Sequence, residues 1–597
     1  MRAAVKAVVG WQRDLAWALL VTLIAFAISA GGGFKAMTNS NGDNDSLLRL
    51  VEVRDFMAGQ GWFDLHQYRM GPEGGFLMHW SRLIDASLSA LISVAEAFGL
   101  STTIAESFAR AVWPTLTYWL TVFFVVRAAR RFGGDAATFP AMVIAGAALF
   151  FMGAFAPGNI DHHNVQLLLV MAAVNFLLAA PDWRPAALLS GASAALSLAI
   201  GMETAPLVAA IGACVAGLFL FSDRQEARTA SGFGLGFAGV SALVLVSTIA
   251  PSNWGVASCD AFSAVQFAVA VISGVGLAAA ASTGQFNASV SRRLCSLVLL
   301  AGIVAVVVIL LFPQCLRDPY ANLDPRLRAL WLDNIEEAQS LFQLMKNDRA
   351  SVIGSYVTPL IALVLLAFRL VRGDRRREVC VVTTLLFVAF AISVWQVRGM
   401  TFSITLAVIP LAAWVATWRE RTARSPSLRT SMAMVLVWLV SINALWTMGT
   451  ALATMLTDTA AATGAGSAAS ECNGPAEYAT LATMPVTTVL AVSNLGSPIL
   501  AYTNHRALAG PYHRNVKGNL LVLDAFTGPV SAAEAIVRGQ HVGLIAVCRG
   551  NAETSYLTDV APDGFLADLI KGRLPIWLEP VPGTAGKPLA LYRVRSG

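Results

Sequence analysis

Apolar runs of roughly 17 residues or more recur along the chain, separated by short polar gaps. They fall near 15–31, 106–126, 136–156, 163–180, 185–201, 205–221, 231–250, 262–282, 295–312, 356–371, 379–396, 401–417 and 430–449. A helix needs about 20 residues to cross the hydrocarbon of a bilayer, so these runs are about thirteen candidate spans. Two stretches break the pattern. Residues 32–105 are mostly polar but hold one further apolar run, 83–100. A single extra span there would reverse the side of every later gap, so an interfacial helix is expected. Beyond about 450 the long runs stop. The small-residue linker "AATGAGSAAS" leads into "TTVLAVSNL", "HVGLIAVC" and "LALYRV", which read as short strands, with "AAEAIVRG" as a helix. The expected architecture is a polytopic α-helical membrane protein over residues 1–450, followed over 451–597 by a small α/β domain outside the membrane. No repeat at a solenoid period is present.

Charge gives the spans a direction. Alternate gaps carry Arg127, Arg130 and Arg131; Arg184; Arg224 and Arg228; Arg292 and Arg293; Arg372, Arg375, Arg376 and Arg377; Arg419, Arg421, Arg424 and Arg429. With thirteen alternating spans, all of these fall on the side of the N-terminus, which carries Arg2, Lys6 and Arg13. The positive-inside rule makes that side cytoplasmic. The first run is not followed by a small-residue cleavage pattern, so it reads as a retained span rather than a signal peptide. The opposite side receives loops at about 32–105, 157–162 and 313–355, together with the C-terminal domain. Composition agrees, with 56% hydrophobic residues, 13% charged and a mean hydropathy of +0.63, where soluble domains carry about 25% charged residues. The net charge of +6 sits in the gaps. It is a topology signal and does not point to nucleic acid.

Cys259, Cys315, Cys472 and Cys548 fall on the outer side, while Cys214, Cys295 and Cys380 lie within or beside spans. The outer side of a bacterial inner membrane is oxidising. The pairs Cys472–Cys548 and Cys259–Cys315 can form there. Four free thiols are equally open, because the sequence gives no Cα separation.

Acids are nearly absent from the runs, Glu203 near a span end being the main exception, and the polar motifs gather in the outer loops. "GNIDHHNVQLLLV" places Asp161, His162 and His163 at the outer mouth of the fourth run. "NGDNDSLLRLVEVRDF" places Asp43 and Asp45 shortly after the first. Carboxylates from two loops with an imidazole form a donor set for Mn²⁺ or Mg²⁺. Polar decoration of helix ends is the plainer explanation of either cluster alone. "WLDNIEEAQSLF" adds Glu336 and Glu337, whose spacing also fits a helical surface pair. "VWQVRGMTF" adds Arg398 on the side that otherwise lacks arginines. Its guanidinium suits a phosphate partner, or it snorkels to lipid headgroups.

Spans, acidic loop, Asp-His-His loop, late-loop Glu and C-terminal outer domain together resemble the catalytic subunit of oligosaccharyltransferases. The archaeal and bacterial single-subunit members, and more broadly the GT-C superfamily, are the comparison. "GDNDSLLRL" is similar to the family's first motif, which points to Asp45 ahead of Asp43. "IDHHN" is similar to the second motif of archaeal members and points to Asp161 and His163. "IEEA" resembles the loop Glu beside metal and acceptor, so Glu337 or Glu336. Arg398 matches an arginine near the donor phosphate. The resemblance implies a metal held by Asp45, Asp161 and His163. It implies a catalytic carboxylate among Asp45, Glu337 and Asp43, and a polyprenyl-(pyro)phosphate sugar donor attacked with inversion by an acceptor at the periplasmic face of a bacterial inner membrane. The family reads its acceptor with a Trp-Trp-Asp motif, which this chain lacks after residue 450. "HRALAGPYHRN" stands there instead, with Tyr512, His513 and Arg514 as candidates for substrate contact alongside His79, His162 and Glu336. The acceptor is therefore open: a glycan, a lipid or a protein side chain. A metal-independent polysaccharide polymerase or ligase, a lipid-glycan flippase and a non-catalytic scaffold are the competing readings.

Overall fold

The computed structural model describes residues 2–38, 43–221, 224–318, 320, 323–457 and 470–595. The expected linker lies outside them up to residue 469. Ten helices among the described residues are long and apolar enough to cross a membrane, from Gly10–Gly31 to Val397–Arg424. The last apolar run is a bent pair, Leu428–Ser441 and Asn443–Ala453, turned by 82° where Ile442 takes an extended backbone.

Two runs form helices shorter than a typical span, His163–Ala179 and Pro185–Ile200. Seventeen residues reach only about 26 Å against a hydrocarbon thickness of about 30 Å. The first of them is walled by protein: Leu167, Val170, Met171, Val174, Leu177 and Leu178 are buried around it. A helix surrounded by other helices need not match the lipid. The run near 83–100 forms Arg82–Ala97, with Ile84, Leu88, Ile92 and Ala95 buried on one face at helical spacing, while Val94 and Phe98 are exposed.

Ionic contacts separate the two ends of the bundle. At one end the arginine-bearing turns are tied together: Asp14 pairs with Arg127 and Arg130, Arg131 with Asp182, and Glu226 with Arg377. The other end carries the acidic and histidine loops. A two-residue hairpin there, β1 (His66–Gln67) with β2 (Phe76–Leu77), leads into Trp80.

The C-terminal residues build a five-stranded sheet from β3 (Thr488–Leu490), β4 (Arg506–Ala507), β5 (Val542–Cys548), β6 (Leu578–Pro580) and β7 (Leu589–Val594), in the order β4-β3-β5-β7-β6. The β4–β3 and β3–β5 pairs are parallel; β7 is antiparallel to β5 and β6. Strand β5 is apolar on both faces, as a central strand covered on both sides must be. The sheet does not close its core alone. Leu47, Leu48, Val51, Met70, Met78 and Trp80 of the first outer loop belong to the same apolar cluster as Val489, Leu490 and Ile545. Arg69 Nη2 donates to the carbonyl oxygens of Leu500, Thr503 and His505 at 3.0, 2.6 and 3.0 Å.

Both outer cysteine pairs are disulfides, Cys259–Cys315 and Cys472–Cys548. The second closes a separation of 76 residues, which in the chain-entropy account corresponds to about 4 kcal/mol of stabilisation. Replacing Cys472 and Cys548 by Ser together is expected to lower the unfolding temperature of the outer unit. Thermal unfolding followed by limited proteolysis of the C-terminal part checks this; an unchanged transition would show that the packed core alone sets its stability.

Candidate functional site

The site begins with a helix cap. Asp43 caps helix Asn44–Met57, accepting from the backbone N–H of Asp45 and Ser46 at 3.1 Å each. Short polar residues favour this position because they satisfy orphan N–H groups. Ser46 Oγ donates to Asp43 Oδ2 at 2.5 Å and accepts from the backbone N–H of Ile160 at 2.9 Å. One hydroxyl thus fastens the acidic loop to the segment that presents Asp161. Gly158 makes that segment possible: its φ is +117°, and a Cβ there would lie 2.5 Å from the Ala36 carbonyl carbon.

Asp161, His162 and His163 offer ligand atoms within 4.8 Å of one another. The Asp161 carboxylate contacts His162 Nδ1, and its second oxygen lies 3.3 Å from His163 Nε2. Burial pushes Asp161 up, but the two imidazoles overcome it and hold the carboxyl below its ordinary value. Glu337 reaches in from the loop at 313–355, its Oε2 3.7 Å from His163 Nε2, with its side chain 60% exposed. Asp45 stands in the first turn of its helix, and no hydrogen bond or ion pair holds its carboxylate among the described residues. Burial, with the Asp161 charge next, pushes it up to about 8. Three carboxylates therefore converge around one imidazole pair. That oxygen-rich set with nitrogen support fits a divalent cation, whose charge would relieve their mutual repulsion.

Arg398 sits beside this cluster. The backbone N–H of Val397 donates to the Gln339 carbonyl at 2.9 Å, which joins the Glu337 loop to the Arg398 turn. Arg398 Nη1 lies 3.6 Å from Glu203 Oε1, and its buried Nε has no hydrogen-bond partner. Glu203 is the residue that sequence reasoning underused. It also meets His162 Nε2 at 3.4 Å and accepts from Gln166 Nε2 at 2.5 Å. Gly201 leaves the space, since a Cβ there would fall 2.3 Å from Gln166 Nε2 and 2.8 Å from Glu203 Oε2. The one signal in the sequence was an acid standing alone at the start of an apolar helix.

The C-terminal candidates divide. Tyr512 is buried; its hydroxyl meets Ser497 Oγ at 3.0 Å and donates to the Asn44 carbonyl at 3.1 Å. It props the acidic helix from behind. His505 is fully buried and bonded to backbone at both ring nitrogens. His513 and Arg514 turn instead to Asp260, and His513 packs against His79 with ring centroids 4.6 Å apart. Neither they nor His79 touch the Asp161 cluster. Trp80 is the link, 5.8 Å from the His162 ring. The side chain of Glu336 lies outside the described residues.

No protein-family model and no curated protein sequence matches the chain. Solved structures do. The archaeal oligosaccharyltransferase AglB from Archaeoglobus fulgidus, in complex with an inhibitory peptide and a dolichol-phosphate, has a TM-score of 0.64 at 16% identity, over 89% of this chain and 69% of that one. The A. fulgidus oligosaccharyltransferase in its apo form gives 0.66 at 15% identity, over 90% and 69%. Its complex with Zn and sulfate gives 0.58 at 14%, over 88% and 68%. The chain therefore has the fold of GT-C-type membrane glycosyltransferases. Within that class it is similar to the archaeal oligosaccharyltransferase.

Because Glu203 orients both His162 and Arg398, Glu203→Ala is expected to weaken divalent-cation binding about 10- to 100-fold. Mn²⁺ titration followed by electron paramagnetic resonance measures it. Binding equal to wild type would remove Glu203 from the site.

Proposed function

We propose that the chain transfers a sugar or glycan from a polyprenyl-(pyro)phosphate donor to an acceptor at the periplasmic face of a bacterial inner membrane. Its thirteen membrane segments would comprise the ten long helices, the bent pair and the two short buried helices. The N-terminus would be cytoplasmic and the C-terminal sheet periplasmic. The observation that carries the reading is the meeting, at one end of an oligosaccharyltransferase-like bundle, of the Asp161–His163 pair with Glu337 and an Arg398 whose Nε has no partner.

Asp161 and His163, joined by Asp45, are the residues that would hold Mn²⁺ or Mg²⁺. When bound, such an ion supplies Lewis acidity and offsets charge on the departing phosphate. The chain's own groups do the rest. Arg398 donates to the donor phosphate from a fixed position, steadied by Glu203, so its charge needs no reorganisation as the leaving group departs. The bond from the anomeric carbon to the phosphate oxygen breaks, and the acceptor's nucleophilic atom bonds to that carbon from the opposite face. The acceptor proton passes to a carboxylate, Glu337 or Asp45 with Asp43 behind them; the exposure of Glu337 favours it. The peptide and dolichol-phosphate bound to the archaeal neighbour support a lipid-linked donor. They leave the acceptor of this chain open, because its Trp-Trp-Asp motif is missing.

Lipid extracts of a deletion strain, complemented with wild type or with Asp161→Ala, test the proposal by mass spectrometry. A polyprenyl-linked sugar is expected to accumulate in the deletion and in the variant, whose turnover should fall at least about a hundredfold. Identical lipid pools in all strains would overturn the donor assignment.

A further inference from the structure

A second cluster of ligand-bearing side chains lies beside the first and has no part in the proposed transfer. It joins three distant segments: His79 after β2, Asp260 between helices Arg224–Thr248 and Ala264–Ser282, and His513 of the C-terminal unit. One ligand atom from each lies within 4.8 Å of the other two.

The hydrogen bonds of this cluster fill both oxygens of Asp260. Asp260 Oδ1 accepts from Arg514 Nη2 at 2.7 Å and Ser258 Oγ at 3.0 Å. Oδ2 accepts from Arg514 Nε at 2.8 Å and His513 Nε2 at 2.7 Å. Of these four donors only His513 is itself a metal ligand. His79 Nδ1, shielded from solvent, has no hydrogen-bond partner, although its ring stands 4.6 Å from that of His513. A buried imidazole nitrogen without a partner calls for an explanation, and an ion is one.

We propose that His79, Asp260 and His513 form a second metal site, selective for Zn²⁺ or a similar borderline ion. Two imidazoles with one carboxylate suit zinc, in contrast to the carboxylate-rich first cluster. At zinc-ligand bonds of 2.0–2.1 Å, tetrahedral geometry sets Oδ2 and Nε2 about 3.3 Å apart, roughly 0.6 Å beyond their present separation. On binding, the proton on Nε2 of His513 gives way to the metal, the ring ends neutral with its one proton on Nδ1, any second proton leaves to solvent, and the metal takes the lone pairs of Nε2 and Oδ2. Arg514 and Ser258 keep the carboxylate oriented, as outer partners of metal ligands do. The ion would staple the C-terminal unit to the membrane domain next to the Cys259–Cys315 disulfide.

The test uses the full chain purified in detergent, stripped with chelator, reloaded with Zn²⁺, desalted and counted by elemental mass spectrometry. Wild type is compared with Asp161→Ala, His513→Ala, His79→Gln and the Asp161→Ala/His513→Ala double variant. The expected zinc contents are two equivalents, one, one, one and none. X-ray absorption at the zinc edge of Asp161→Ala should show two imidazole ligands. His79 makes no hydrogen bond through Nδ1, so His79→Gln retains the fold, and a thermal melt without metal confirms it. Zinc content unchanged by both His79→Gln and His513→Ala overturns the site and leaves an ion-pair latch. If wild type holds one equivalent that Asp161→Ala keeps and His513→Ala loses, this site stands and the metal role of Asp161 falls instead.

Discussion

The helix that opens the site is held by one buried charge. Arg49, 1% exposed, donates to Asp85 Oδ1 at 2.7 Å, and its guanidinium carbon lies 4.3 Å from the centre of the Trp80 ring. Asp85 takes a second guanidinium, from Arg82, on its other oxygen. Removing one partner of a buried ion pair costs about 3–5 kcal/mol because the other charge stays behind. The helix carrying Arg49 is therefore fixed in rotation and register. Asp45 sits one turn earlier on that helix, Ser46 holds the Asp161 segment through Ile160, and Trp80 reaches the His162 ring. A slip of this helix would move Asp45 and, through Ser46, pull on the segment that presents Asp161.

The bilayer decides where such charges can stand. An ionised side chain at mid-membrane is expensive and, where found, faces the bundle interior. The chain places its acids and imidazoles just beyond the apolar helices and keeps the helices below them almost free of charge. The helix that begins at His163 is short because it is enclosed by protein along its length. Glu203 follows the same rule, starting its apolar helix at the level of His162.

The parts of this arrangement that are local in sequence were readable from it. Apolar runs locate the helices, because each needs its own hydrophobic length. Strands β3, β5 and β7 lie inside the segments that pattern picks out in the C-terminal region. "IDHH" stands out because an acid and two imidazoles open an apolar run. What was not readable depends on partners far apart in the chain. Glu203 looks like a lone acid until Gln166, His162 and Arg398 close around it. Asp260 carries no pattern at all; only the fold brings His513 and Arg514 to it across about 250 residues. The bend at Ile442 is equally silent, since no proline or glycine marks it.

The same distinction explains the "GPYHRN" stretch, which composition alone presents as one polar loop. Tyr512 points inward, and its hydroxyl ends on the Asn44 carbonyl, one residue before Asp45. His513 and Arg514 point the other way, to a loop of the membrane domain. Three neighbouring side chains thus grip two different parts of the bundle, and Arg69 grips back through three carbonyl oxygens. A domain held from both sides by part-buried polar contacts and a shared apolar core is a fixed wall of the site. The Glu337 side chain, by contrast, is 60% exposed, on a loop tied down by Val397 and a disulfide. Of the two acids that meet His163, Glu337 is the exposed one, at 60% against 15% for Asp161.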